Sequence, residues 1–259
     1  MSVNKFAAKA KAAAESGILN NLTETTTGGS RLLPEGMALA VFTGYIESGL
    51  QPQEFQGQVK DPRREFQLEF HIVGGMGVTK DGIDEAFVPD DTESVAVHTF
   101  WTPLQNNSKS RCIKYFNAMN YKGTATSFAE LLGTAFMLPV VHKEGKDRTG
   151  KSVIRGNIDP AGIIPAVDPM TRKPYAVPEL PEDVYRLFLW DAPDEEQWNS
   201  ILIEGTWDDG KSKNILQEHI LSSMDYEGSA LQEMLGGAVT KAPKASKASK
   251  APMDLPDPD

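Results

Sequence analysis

Cysteine is nearly absent from this chain: Cys112 is the one thiol in 259 residues. An intramolecular disulfide is therefore excluded, and a reducing compartment is expected. Histidine is scarce too, and His71, His98, His142 and His219 lie far apart without ligand spacing. With one cysteine they build no zinc pattern, so no metal and no cofactor are expected. No stretch approaches the roughly 18 apolar residues of a membrane helix, and the N-terminus carries no apolar signal core. A cytoplasmic protein without membrane contact is expected, in the host cell cytoplasm if the chain is viral. Positive charge is also in deficit, with 26 Lys and Arg against 36 Asp and Glu and a net charge of −10. Taken as a sum, that deficit opposes binding to a polyanion, which is held through cations on its phosphates.

What is there changes the reading, because the charge is segregated. Residues 104–157 hold nine basic side chains (Lys109, Arg111, Lys114, Lys122, Lys143, Lys146, Arg148, Lys151 and Arg155) against three acids. Residues 177–209 hold ten acids against Arg186 alone. Local potential governs binding over about one Debye length, so a basic surface on an acidic protein is compatible with nucleic acid.

Hydrophobic content of 40% supports a real core. Residues 37–46 alternate Leu39, Val41, Thr43 and Tyr45 with Ala40, Phe42 and Gly44, which predicts a strand partly buried on both faces. Phe66, Leu68, Phe70 and Ile72 form a period-two face opposite Glu65, Gln67, Glu69 and His71, a second strand. Residues 93–101 predict a third. Ser108 or Ser110 caps a helix burying Cys112, Ile113, Phe116 and Met119, and a shorter helix covers 127–132. Strands at 136–142 and 152–158 follow, joined by a hydrophilic turn over 143–151. Three strands, helix and two strands is the order of a five-stranded, partly open OB-like barrel, mostly β with some α. Beyond it the spacing predicts a wrapping Pro-rich loop to 181, a strand at 185–190 and a C-terminal helix over 212–224. The expected domains are an N-terminal arm, 1–30, a binding domain, 31–236, a flexible linker, 237–252, and an acidic tail, 253–259. The linker carries lysine every third residue from Lys241 to Lys250 and has nothing to bury.

One enzymatic motif is present. Residues 145–152, Gly-Lys-Asp-Arg-Thr-Gly-Lys-Ser, match the phosphate-binding pattern G-x-x-x-x-G-K-[ST]. A phosphate cradle must open directly into a helix, whereas the β-branched continuation from Val153 predicts a strand. The Gly74-Gly75-Met76-Gly77 run suits a flexible turn, and the paired acids Glu195-Glu196 and Asp208-Asp209 have no nucleophile or base beside them. The chain is not expected to be an enzyme.

In an OB-like barrel, oligonucleotides are gripped by the second and third strands and by the loops between strands one and two and strands four and five. The first loop, 48–64, holds Phe55, Lys60, Arg63 and Arg64. The second, 143–151, holds Lys143, Lys146, Arg148 and Lys151, with Arg155 on the following strand. Phe100, Trp101, Tyr115 and Tyr121 are candidate stacking platforms near Arg111, Lys114 and Lys122, because a base stacks on any aromatic ring beside a cationic track. Arg63, Lys114, Arg148 and Arg155 are expected along one cleft. The expectation is sequence-independent binding of single-stranded DNA. Two rivals stand beside it: a virion structural or scaffold protein, and a nucleotide-binding enzyme built on residues 145–152.

Pro34-Glu35-Gly36-Met37, the run Glu130 to Phe136, and the block from Phe188-Leu189-Trp190-Asp191 through Trp198, Trp207 and Lys211-Ser212-Lys213-Asn214 give the chain a resemblance to the single-stranded DNA-binding proteins of tailed bacteriophages. That resemblance implies an OB-fold that coats intermediates of DNA replication and recombination, possible homo-oligomers or cooperative arrays, and an acidic tail that recruits phage or host replication proteins or competes for the DNA groove. Asp254, Leu255, Asp257 and Asp259 are the tail residues concerned. The chain ends in Asp259 rather than an aromatic residue, which leaves Leu255 as its one apolar anchor.

Overall fold

The computed structural model describes residues 32–55, 57–146, 152–207 and 210–237. All described elements belong to the unit that starts at Leu33. The expected arm at 1–30, the linker beyond residue 237, Arg148, Lys151, Asp254, Leu255, Asp257 and Asp259 lie outside the described residues.

Two long strands organise the molecule, β1 (Glu35–Phe55) and β2 (Gln58–Gly74), paired antiparallel along their length. Phe66, Leu68, Phe70 and Ile72 of β2 are fully buried on one face, as their alternation predicts. Across from them β1 behaves differently from its sequence pattern. The register runs Phe42↔Phe70, then Gly44↔Glu69 and Tyr45↔Leu68, so Thr43 is an extra residue in a β-bulge. The bulge shifts parity by one. Ala38, Ala40 and Phe42 before it and Tyr45 after it therefore share the main core, and Ile46 turns to the opposite face. This corrects the expected grouping of Tyr45 with Leu39 and Val41.

The 48–64 segment, expected as a loop, is instead the paired arm of these two strands, continuing through Gln51↔Arg63 and Gln53↔Lys60 to Phe55↔Gln58. Its polar side chains hid it, since a hydrogen-bonded ladder beyond the core requires no apolar alternation. The glycine-rich run at 74–77 is also corrected. Gly75 adopts a positive φ of 108° and Met76–Val78 forms β3, paired with β1 and with β4 (Asp84–Ala86).

The third predicted strand is split into β5 (Val95–His98) and β6 (Thr102–Pro103), both on β2. Ser110 caps α1 (Arg111–Met119) by accepting from Ile113 N at 3.2 Å. A short 3₁₀ turn, Phe128–Leu131, carries the Ser127/Glu130 capping box and leads into β7 (Ala135–Lys146). β7 pairs antiparallel with β1 and with β8 (Ser152–Ile158), forming the expected hairpin, although the strand runs through the predicted turn residues Lys143 and Lys146. β9 (Ile164–Pro165) adds to β7, and β10 (Arg186–Phe188) runs parallel to β1.

The result is a ten-stranded, largely antiparallel sheet that is not closed. Its central path reads β8, β7, β1, β2, β5, and among the described residues no pairing joins β5 to β8. The main core lies on the α1 side. A second core packs on the other face of β1, where Ile46, Phe188 and Trp190 meet α2 (Glu195–Ser200), α3 (Ile215–Leu221) and α4 (Ala230–Met234) through Ile201, Leu216, Ile220 and Leu231. That layer buries Gln67 and Glu69 on the face of β2 that alternation alone assigns to polar surroundings. Among the described residues no helix is long and apolar enough to cross a membrane, and no cluster of three or more His, Cys, Asp or Glu could hold a metal.

Candidate nucleic-acid interface

The seam between β5 and β8 holds a cleft of about 300 Å³. Its walls come from three places: His98, Thr99 and Phe100 at the end of β5, Arg111 at the first turn of α1, and Lys143, Glu144, Arg155 and Asn157 of the β7–β8 hairpin. Lys143 and Arg155 are cross-strand partners. Two cations on one rung concentrate positive potential at the cleft. Arg111 adds a third cation from another element, against the single carboxylate of Glu144.

The aromatic wall depends on the break after β5. Thr99 is buried and replaces a ladder partner with its side chain: its Oγ1 accepts from Leu68 N at 3.0 Å, and its carbonyl accepts from Gln67 Nε2 at 2.9 Å. The irregular backbone sends its two neighbours to different places. Phe100 is 53% exposed and lines the cleft, while Trp101 packs on the second core and stacks on His219 with ring centroids 4.2 Å apart. His219 Nε2 in turn lies 3.4 Å from Glu65 Oε2. Burial pushes the Glu65 carboxyl upward, but hydrogen bonding to His219 and Gln53 outweighs it and holds Glu65 below the usual carboxylate range.

Of the residues the sequence singles out, Phe100, Arg111, Tyr115, Lys143 and Arg155 line the cleft. Tyr115 is a correction. It is 2% exposed in the main core and donates through its hydroxyl to Ile158 O at 3.3 Å, so its ring has no face for a base. Desolvation, partly opposed by Arg111, pushes its phenol up to about 12. The buried stripe of α1 is Cys112, Tyr115 and Met119, where the sequence pattern predicts Cys112, Ile113, Phe116 and Met119. Trp101 is corrected likewise, because His219 takes one face of the indole.

Of the cations expected in one cleft, Arg63, Lys114 and Arg155 are described, and they do not gather there. Arg155 lines it, Arg148 is outside the described residues, and Lys114 is exposed on α1 without lining it. Arg63 borders a separate shallow groove with Gln105, Asn106 and Asn107. Arg64 is tied to Asp191, a hydrogen bond that holds its guanidinium above its usual value. Lys60 sits near the tip of the β1–β2 arm, donating to Gln58 Oε1 at 2.9 Å. Lys122 lies 5.7 Å over the exposed ring of Tyr121. Phe55 and Lys146 close β1 and β7 respectively. His98 and Asn157 enter the site through the seam, which local sequence pattern does not announce.

The last residue of the phosphate-loop motif, Ser152, opens β8 rather than a helix, and it pairs with Lys146. The helix dipole that such a cradle needs is missing there. No protein-family model, curated protein or solved structure matches the chain.

Proposed function

We propose that this protein is a non-catalytic, sequence-independent single-stranded DNA-binding protein that acts in phage DNA replication and recombination and uses the cleft between β5 and β8. The observation that carries this reading is the convergence of Arg111, Lys143 and Arg155, from α1 and the β7–β8 hairpin, around one cavity. Cations gathered from separate elements around one cavity suit a polyanion, which is held through charges on its phosphates. The strand order β8, β7, β1, β2, β5 with α1 between β5 and β7 supports reading the sheet as an OB-like barrel opened at one seam. The acidic tail at 253–259 is the segment through which replication proteins are recruited, or by which the cleft is blocked.

The test is fluorescence anisotropy with a labelled single-stranded oligonucleotide and its duplex across a salt series. Affinity for the single strand falls steeply as salt rises, exceeds that for the duplex, and drops at least tenfold in Arg155→Glu. Salt-independent binding, or an Arg155→Glu variant that binds as wild type, overturns the reading.

A further inference from the structure

The cleft has a division of labour that sets how much of a DNA strand it can take. One wall is cationic, built from Arg111, Lys143 and Arg155; the other is Phe100. At about 300 Å³ it stands at the lower end of small-ligand sites. That is room for about one nucleotide.

Phe100 is fixed from both sides. Thr99 is locked into the ladder by its hydrogen bonds to Leu68 and Gln67, and Trp101 is held against His219. A large apolar ring left more than half exposed between two anchored neighbours is a preorganised surface, which lowers the ordering cost of binding. The cleft also occupies the gap where pairing of β5 with β8 would close the sheet.

We infer that one unstacked nucleotide enters the seam itself, its phosphate held by Arg111, Lys143 and Arg155 and its base lying on Phe100. This rests on the single-strand reading above and adds to it the site, the stoichiometry and the stacking residue. The bound nucleotide then bridges β5 and β8 in place of backbone hydrogen bonds.

Wild type, Phe100→Ala, Phe100→Trp and Arg155→Glu are titrated with oligothymidylate and with a strand of equal length made of abasic residues, which keeps the phosphates and lacks the bases. A base stacked on an aromatic ring is worth a loss of about 5- to 100-fold in affinity when the ring is removed. Phe100→Ala is expected to lose affinity of that order for oligothymidylate and little for the abasic strand, while Arg155→Glu loses affinity for both. In Phe100→Trp, oligothymidylate quenches fluorescence beyond the wild-type signal and the abasic strand does not. Amide hydrogen exchange in 95–98 and 153–158 slows on binding. If wild type binds and Phe100→Ala matches it on oligothymidylate, with no added quenching in Phe100→Trp, the nucleotide subsite is overturned and the general reading stands. If wild type binds neither strand, the single-strand reading itself fails.

Discussion

Lys143 and Arg155 face each other on one rung of the β7–β8 ladder, and both reach the same cleft. With Lys143 exposed and assigned to binding, oligonucleotide affinity and stability should separate when it is neutralised. Lys143→Gln is expected to leave the urea midpoint unchanged or slightly raised while weakening oligonucleotide binding. The slope of log affinity against log salt should fall by about 0.7 for each cation removed. A lower midpoint together with unchanged binding would assign the rung a structural role.

Glu144 is the carboxylate in the cleft wall. Its charge opposes an incoming phosphate, so Glu144→Gln is expected to tighten single-strand binding severalfold at low salt, with the gain fading as screening increases. Anisotropy titrations at two salt concentrations check both parts.

The Trp101–His219–Glu65 chain fastens the second core to β2. Because Glu65 is held below the usual carboxylate range, its stabilising contribution is present above that range and is lost as pH falls through the depressed value. Glu65→Gln is expected to lower stability at neutral pH and to flatten its decline in acid. Trp101→Phe is expected to destabilise the fold yet bind oligonucleotide within about twofold of wild type, since stacking is assigned to Phe100. Chemical denaturation from neutral to acidic pH, paired with titrations, reads both.

Glu69 shows the opposite shift. Burial outweighs the nearby Arg186, 3.3 Å away, and raises its carboxyl above the usual value. Arg186→Met leaves this acid with His71 Nε2, 3.9 Å away, as its remaining partner and should cost about 2 kcal/mol at neutral pH, less than a fully enclosed pair because Arg186 is 27% exposed. The cost should shrink as pH falls toward the raised value, because protonation removes the uncompensated charge. A cost independent of pH would mean that Arg186 acts through packing alone.

Legibility in the sequence followed the strength of local pattern. The β2 face at 66–72 and the β7–β8 hairpin were readable because strict alternation and a hydrophilic turn leave few other arrangements. The Thr43 bulge was not, since an extra residue between apolar neighbours leaves the composition of the strand unchanged. In α1 a shift of one position between Tyr115 and Phe116 decides which ring is buried, and both satisfy helical spacing. Arg111, Lys143 and Arg155 were legible as basic residues, but their meeting depends on the seam between β5 and β8, a relation between distant segments. Phe100 and Trp101, both candidate platforms in the sequence, part ways because Thr99 breaks the strand before them, leaving Phe100 exposed and Trp101 packed on the second core.

The extra residue at Thr43 also governs how the molecule comes apart. One continuous strand serves the α1-side interior before the irregularity and both interiors after it. Loosening the helical layer therefore strips cover from the strand that centres the whole sheet, and the two halves should melt together in a single calorimetric transition rather than in succession.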